Sequence, residues 1–353
     1  MSRIAKLAKL IPEGIDGILA TNEKTQKYLG GFDYTDGYFL VTREHSYLIT
    51  DSRYIEAAGK FATEELDVVQ FSGSLYDAIS GILKKHNIKT LGYEDIWLTC
   101  AKLRWLENEL KGIDFKPIGS LIDDLREVKD RSEIECMIKA QRIAEKALDR
   151  LLGIITPDMT EREVAFELET EMKRLGSPKE AFDTIAVSGT ASSLPHGVPR
   201  DVKLERGFLT LDFGATCNGY CSDMTRTVCL GKADDEMKKV YNTVLEAQLT
   251  AIDFICEGVP CNEYDMSARK VITDAGYGKC FGHGLGHGVG LYIHENPGCG
   301  PRSKSTLKAG NVITCEPGIY LAGKYGVRIE DMLVVTESGA ENLTLAEKKL
   351  IEL

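Results

Sequence analysis

Six histidines are spread over 353 residues, yet His283, His287 and His294 fall within twelve positions. A lone histidine is more often a satisfied structural residue than a ligand, but three of them among glycines point to metal or proton chemistry. Gly282, Gly284, Gly286, Gly288 and Gly290 occupy every second position. A helix there would lose about 1 kcal/mol at each, so the segment is expected to be extended or looped. Extended backbone would project His283 and His287 from one face and leave the other bare for a substrate or a neighbouring strand. A phosphate-cradling loop is the competing reading, but neither GxGxxG nor GK[ST] follows a clean strand here. His196 lies elsewhere, in a Pro-His-Gly turn before a strand.

Carboxylates supply the second half of the chemistry. Residues 209–215 and 220–229 are apolar, β-branched runs joined through Asn218-Gly219, a strong signal for a two-residue type I′ turn. Such a turn pairs Cys217 with Tyr220 and sets Asp212 opposite Thr225, with Asp223 two residues away on the same face. Two carboxylates inside an apolar sheet must be neutralised or compensated, and a metal is the expected compensation. An aspartate that only caps a turn would explain one of them, not both. Glu316, in Thr-Cys-Glu-Pro-Gly, and Glu330, in Val-Arg-Ile-Glu-Asp, lie in strand-like runs near the end of the chain. Alternation there puts Arg328 and Glu330 on one face, which taken alone reads as a surface ion pair. Together, Asp212, Asp223, His287, Glu316 and Glu330 form a carboxylate-rich set with one imidazole, suited to two divalent ions: manganese first, with cobalt, zinc or iron as alternatives. Four carboxylates cancel the charge of two such ions, and Arg328 would offset a bridging hydroxide.

These residues need a scaffold of strands. From residue 14 to about 118 short apolar runs (17–21, 38–42, 46–50, 67–71, 90–93) alternate with amphipathic ones (54–61, 75–86, 101–110), which predicts an α/β domain with a mixed sheet. A charged stretch at 123–133 then leads into long helical patterns. The domain boundary is placed near residue 122, giving domains 1–122 and 123–353. Helical segments are expected at 130–152, 160–175, 234–256 and 262–274, each pair followed by strands, an order that hints at an internal architectural duplication.

Composition narrows the function classes. Fifty-four acidic against 43 basic residues, a net charge of −11, make nucleic acid and anionic membrane poor partners. Ten cysteines without a CxxC pair read as reduced, mostly buried thiols of a cytoplasmic protein. The stretch 1–20 is broken by Pro12, Glu13 and Asp16, so no signal peptide or membrane span is expected.

As a set, the runs Leu194-Pro-His-Gly-Val-Pro199, Leu211-Asp-Phe-Gly214, Tyr220-Cys-Ser-Asp-Met-Thr-Arg-Thr227, Gly282-His-Gly-Leu-Gly-His-Gly-Val-Gly290, Ile293-His-Glu-Asn-Pro297, Glu316-Pro-Gly-Ile-Tyr320 and Val327-Arg-Ile-Glu-Asp331 resemble the creatinase and prolidase group of the M24 metallopeptidases. Ile49-Thr-Asp-Ser-Arg-Tyr54 looks like part of that group's amino-terminal domain, so the likeness spans essentially the whole chain. The resemblance implies an α+β pita-bread catalytic domain preceded by a smaller α/β domain. It implies that Asp212 chelates one ion and His287 and Glu316 the other, while Asp223 and Glu330 bridge both. Glu316 would also carry the proton, His283 and His294 would bind substrate and stabilise the oxyanion, His196 would lie near the proline ring, and Arg328 would contact substrate. The implied reaction is hydrolysis of a Xaa-Pro bond, either at the amino terminus of peptides or in dipeptides, by a homodimer. Methionine aminopeptidase and a metal-free pita-bread binding module are the alternatives; the first needs no such amino-terminal domain, and the second has lost the ligands that are intact here.

Overall fold

The computed structural model describes residues 2–353, so Met1, the first residue of the stretch read above for a signal peptide, lies outside the described residues. The chain divides into two compact units, Met1–Leu125 and Arg126–Leu353. No helix among the described residues is long and apolar enough to cross a membrane.

In the first unit, α1 (Arg3–Leu10) starts at Ser2, whose hydroxyl accepts from the Ala5 N–H, and stops just before Pro12, which cannot continue a helix. After β1 (Gly17–Ala20), α2 (Glu23–Gly30) is capped by Asn22 and ends on Gly31 at φ 82°. Sequence periodicity reveals neither helix, because each is only two turns long. Strands β2 (Gly37–Thr42), β3 (Ser46–Thr50), β4 (Leu66–Gln70), β5 (Thr90–Tyr93) and β6 (Asp114–Pro117) complete a sheet of order β4-β3-β2-β1-β5-β6. The β1–β2 and β2–β3 pairs are antiparallel and the rest parallel, the expected mixed sheet. Helices α3 (Ile55–Gly59), α4 (Leu75–Lys85) and α5 (Cys100–Glu109) fall on the three expected amphipathic runs, and α6 (Leu121–Glu127) follows. Strand β6 escaped the periodicity because three of its four residues face water. Leu19, Leu40, Ile49, Ile79, Leu91 and Leu106 form the core of this unit.

In the second unit, α7 (Arg131–Ile154) and α8 (Glu161–Arg174) pack together, each opened by a capping box at Asp130/Glu133 and Thr160/Glu163. Each cap stabilises its helix by roughly 1 kcal/mol. Strands β7 (Ile185–Ser188), β8 (Gly207–Phe213), β9 (Thr216–Cys217), β10 (Tyr220–Cys221) and β11 (Met224–Leu230) come next. They make a three-stranded sheet β11-β8-β7 with the β9–β10 ribbon at its hairpin tip. A second helix pair, α9 (Asp235–Phe254) capped by Asp234 and α10 (Cys261–Asp274), precedes β12 (Gly286–Gly288), β13 (Glu295–Cys299), β14 (Val312–Cys315), β15 (Gly318–Leu321), β16 (Tyr325–Arg328), β17 (Asp331–Thr336) and β18 (Gly339–Asn342). These form a five-stranded sheet β13-β12-β14-β17-β18 and a β15–β16 hairpin. Helix pair, then sheet, occurs twice, as the element order suggested. Leu148, Val164, Leu168, Leu211 and Val228 fill one core; Val240, Tyr241, Tyr264, Ile313 and Leu333 fill the other. Side chains of this size each stabilise by about 1.5–3 kcal/mol when fully buried. All ten cysteines are free thiols.

Candidate metal centre

The hairpin places the first two carboxylates. Asn218 and Gly219 both take positive φ, 49° and 82°, as a type I′ turn requires. Cys217 then pairs with Tyr220 and Asp212 with Thr225, the expected register. Gly214 stands between the two ladders, and a Cβ on it would lie 2.0 Å from the Ser222 carbonyl oxygen. Only glycine lets the strands close where Asp212 and Asp223 sit.

The glycine-rich run is a strand only at β12, where neighbouring strands approach its bare backbone closely, while Gly284 and Gly286 also line the cavity described below. A Cβ at Gly286 would meet the Thr314 oxygen of β14 at 2.1 Å, and one at Gly288 would meet the Asn296 oxygen of β13 at 2.2 Å. His287 projects between these contacts. The Nδ1 of its ring lies 3.1 Å from the Gly288 carbonyl, to which it donates, and Nε2 then turns its lone pair toward the carboxylates. That Nε2 is 3.4 Å from Glu316 Oε1 and 3.6 Å from Asp223 Oδ2. Thr314 ties the pair together: its hydroxyl accepts from the His287 N–H at 3.1 Å and donates to Glu316 at 3.1 Å. Glu330, in the break between β16 and β17, accepts from Thr225 at 2.6 Å.

All five expected ligands line one cavity of about 500 Å³, with His196, His283, His294 and Arg328. Asp223, Arg328 and Glu330 are at its buried end, while His196 and His294 are exposed at its mouth. One ligand atom each from Asp223, His287 and Glu330 can be chosen so that all lie within 4.8 Å of one another. The electrostatics are those of a site built for cations. Burial first, then repulsion by Glu330, pushes the Asp223 carboxyl well up; burial and then Glu316 do the same to Glu330. Burial pushes Glu316 up to about 7 and His287 down. Asp212 Oδ1 is buried with no hydrogen-bond partner among the described residues. Four crowded carboxylates, one unprotonated imidazole nitrogen and an orphaned buried oxygen fit divalent ions as donors.

Arg328 and His283 have partners that the sequence does not give. Arg328 does not form a surface pair with Glu330: it is buried, and its Nη2 donates to Asp212 Oδ2 at 2.6 Å. Nε donates to Thr225 and Nη1 to the Pro195 carbonyl and the Tyr320 hydroxyl, so four of its five N–H groups are engaged within the protein. His283 has both ring nitrogens occupied, Nδ1 by the Gly284 carbonyl at 2.9 Å and Nε2 by the Tyr320 hydroxyl at 2.8 Å. Burial pushes its pKa down to about 4, so the ring is neutral. Burial also pushes His294 down, with His287 adding to the effect from a ring 4.4 Å away.

Tyr320 went unassigned in the sequence, although strand alternation could have found it. Gly318 pairs with Arg328 and Tyr320 with Gly326, which makes Tyr320 the diagonal neighbour of Arg328 on one face. It links Asp212–Arg328 to His283. Tyr320→Phe removes one hydroxyl from that chain and leaves the metal donors intact. A hydrogen bond of this kind is worth about 1–2 kcal/mol, so kcat/KM should fall roughly 10-fold at unchanged metal content by atomic absorption.

A profile of the creatinase/prolidase N-terminal domain matches residues 3–128, and one of metallopeptidase family M24 matches residues 135–337. The Xaa-Pro dipeptidase of Pyrococcus furiosus is 40% identical over 352 residues, covering 99% of both chains. A solved Xaa-Pro dipeptidase from Bacillus anthracis is 42% identical and superposes with a TM-score of 0.95 over 99% of each chain. An X-Pro aminopeptidase from Thermotoga maritima is 37% identical, with a TM-score of 0.94 over 99% of this chain and 100% of that one. With both halves matched in order and the fold shared end to end, the chain belongs to metallopeptidase family M24, as a creatinase/prolidase-type protein with a pita-bread catalytic fold.

Proposed function

We propose that this chain is a dinuclear metal-dependent exopeptidase that hydrolyses the bond between an amino-terminal residue and proline, with residues 1–122 and 123–353 as its two functional domains. The observation that carries the proposal is the convergence of Asp212, Asp223, His287, Glu316 and Glu330 on one cavity. In the proposed assignment Asp212 would hold one ion, His287 and Glu316 the other, and Asp223 and Glu330 would be shared by both. The donor set suits manganese, with cobalt, zinc or iron as alternatives. Ions held there polarise a carbonyl and acidify a water.

The remaining steps belong to the chain's own groups. Glu316, whose carboxylate lies 3.4 Å from the His287 ring, is assigned to take and return the proton. Arg328 fixes Asp212 through the 2.6 Å bond and is assigned as a positioning residue, with one N–H left for substrate. His283, His294 and His196 surround the position of a bound peptide; for His283 to donate to it, the Gly284 or Tyr320 bond must exchange. Phe182, Pro195, Val198 and Ile293 give the cavity apolar walls against which a proline ring would pack. A Xaa-Pro bond lacks an N–H, so recognition through metal, imidazoles and apolar walls suits it.

A homodimer in the cytoplasm is the proposed state, supported by the family likeness and by ten unpaired thiols. Methionine aminopeptidase is disfavoured by the creatinase-type domain at 3–128, and a metal-free binding module by the complete donor set. The test is manganese-dependent hydrolysis of a Xaa-Pro dipeptide beside a Xaa-Pro-Xaa tripeptide. Cleavage of the dipeptide alone assigns a dipeptidase, and cleavage of the longer peptide an aminopeptidase. If neither is cut by the metal-loaded protein, the proposal fails.

A further inference from the structure

Away from the metal centre, the hairpin tip meets the start of α7, and each element contributes a cysteine. Tyr220 reaches across to α7, where its hydroxyl donates to Glu133 at 2.8 Å. Cys217 is the cross-strand partner of Tyr220, so its side chain leaves the ribbon on the same face, toward the same helix. Cys136 lies three residues beyond Glu133, one helical turn along the same side of α7. Asn218, adjacent to Cys217, donates from Nδ2 to Cys136 Sγ at 3.6 Å, which fixes the helix thiol at the hairpin tip. Burial pushes the Cys217 thiol up and the neighbouring Cys136 adds to the rise, while Lys139 opposes it.

Exposure separates this pair from most of the other thiols. Cys221, Cys229, Cys261, Cys299 and Cys315 are buried, whereas Cys136 and Cys217, like Cys256 and Cys280, are only partly covered. An oxidant dissolved in water therefore reaches the pair before it reaches the core.

We propose that Cys136 and Cys217 form a reversible dithiol–disulfide couple that clips the hairpin tip to α7, with hydrogen peroxide as oxidant. One thiol, as its thiolate, attacks a peroxide oxygen, becoming a sulfenic acid while the O–O bond breaks and the leaving oxygen departs as water. The second thiolate then attacks the sulfenic sulfur, forming the S–S bond and expelling the sulfenic oxygen as a second water. Two electrons pass from the two thiols to hydrogen peroxide. Thiol reductants return both cysteines to the free state. The clip joins α7 to the tip of the hairpin that carries Asp212 and Asp223, without involving either carboxylate.

The test treats the full-length Cys100→Ser protein with stoichiometric hydrogen peroxide, the substitution removing an exposed competitor in the other unit. Intact mass spectrometry should record the loss of two hydrogens. Peptide mapping without reduction should join the peptide containing Cys136 to the one containing Cys217, and dithiothreitol should undo the link. Cys136→Ser and Cys217→Ser, made separately in that background, should each abolish it. The proposal is overturned if the two cysteines remain thiols, become singly overoxidised, or are joined to other partners instead.

Discussion

Asp223→Asn and Glu330→Gln are each expected to abolish turnover, lowering kcat/KM by at least about 10³-fold, and to remove bound metal in parallel. The proposed bridging ligands hold both ions, so losing one charge weakens two coordination spheres together. Lewis-acid stabilisation is worth several kcal/mol, and each ~1.4 kcal/mol is tenfold in rate. Truncation to Ala should act likewise. A merely structural role predicts another pattern, in which the variants bind metal normally and lose activity only in proportion to unfolding. Because Asp223 and Glu330 are both pushed up by burial and by neighbouring carboxylates, their neutral amides relieve repulsion in the metal-free state. The metal-free variants should therefore melt no lower than the metal-free parent. Metal analysis, circular dichroism and steady-state kinetics on the same samples separate the two cases, and retained activity in either variant would refute the bridging assignment.

The Tm gained on loading divalent ions should grow as pH rises from the ordinary carboxylate range to about 7. Acids whose pKa is raised on folding make the native state bind more protons than the unfolded one, so stability falls as pH rises through the raised values. For Glu316 this fall runs from the ordinary glutamate range up to about 7, and Asp223 and Glu330, both raised by burial and neighbouring carboxylates, act in the same direction. The slope is about 1.4 kcal/mol per pH unit for each carboxyl still holding its proton. Below the ordinary histidine range His283 and His287, lowered by burial, act in the opposite sense, because they oppose protonation that the unfolded chain accepts. Cations take the place of the carboxyl protons, so metal affinity should rise with pH and binding should release protons, measurable by calorimetry in buffers of different ionisation enthalpy. A difference in Tm between the metal-loaded and the metal-free protein that stays flat or shrinks from about pH 5 up to about 7 would contradict the crowding of carboxylates described above.

What the sequence revealed depended on how local the signal was. The Asn218-Gly219 turn fixes a register by itself, and from it the alignment of Asp212 with Thr225 follows by counting. The long helices show in the apolar repeat alone, and Asp130, Thr160 and Asp234 stand at their starts, each accepting from an N–H three residues on. Two-turn helices such as α1 and α2 carry too few periods to be seen. Arg328 shows the other limit. Alternation says which face it occupies but not which sheet that face meets, and its partner Asp212 is 116 positions away. The Tyr320–His283 bond is hidden for the same reason, since nothing within either motif encodes the distance between them.

The donors are shared between the two helix-and-sheet halves of the second unit. Asp212 and Asp223 come from the half built on α7 and α8, and His287, Glu316 and Glu330 from the half built on α9 and α10. A polypeptide severed at Gly231 would leave two carboxylates on one fragment and the imidazole with two more on the other. Neither fragment alone could chelate as the pair does, so complementation between separately produced fragments would regain cation uptake only at the moment they reassociate.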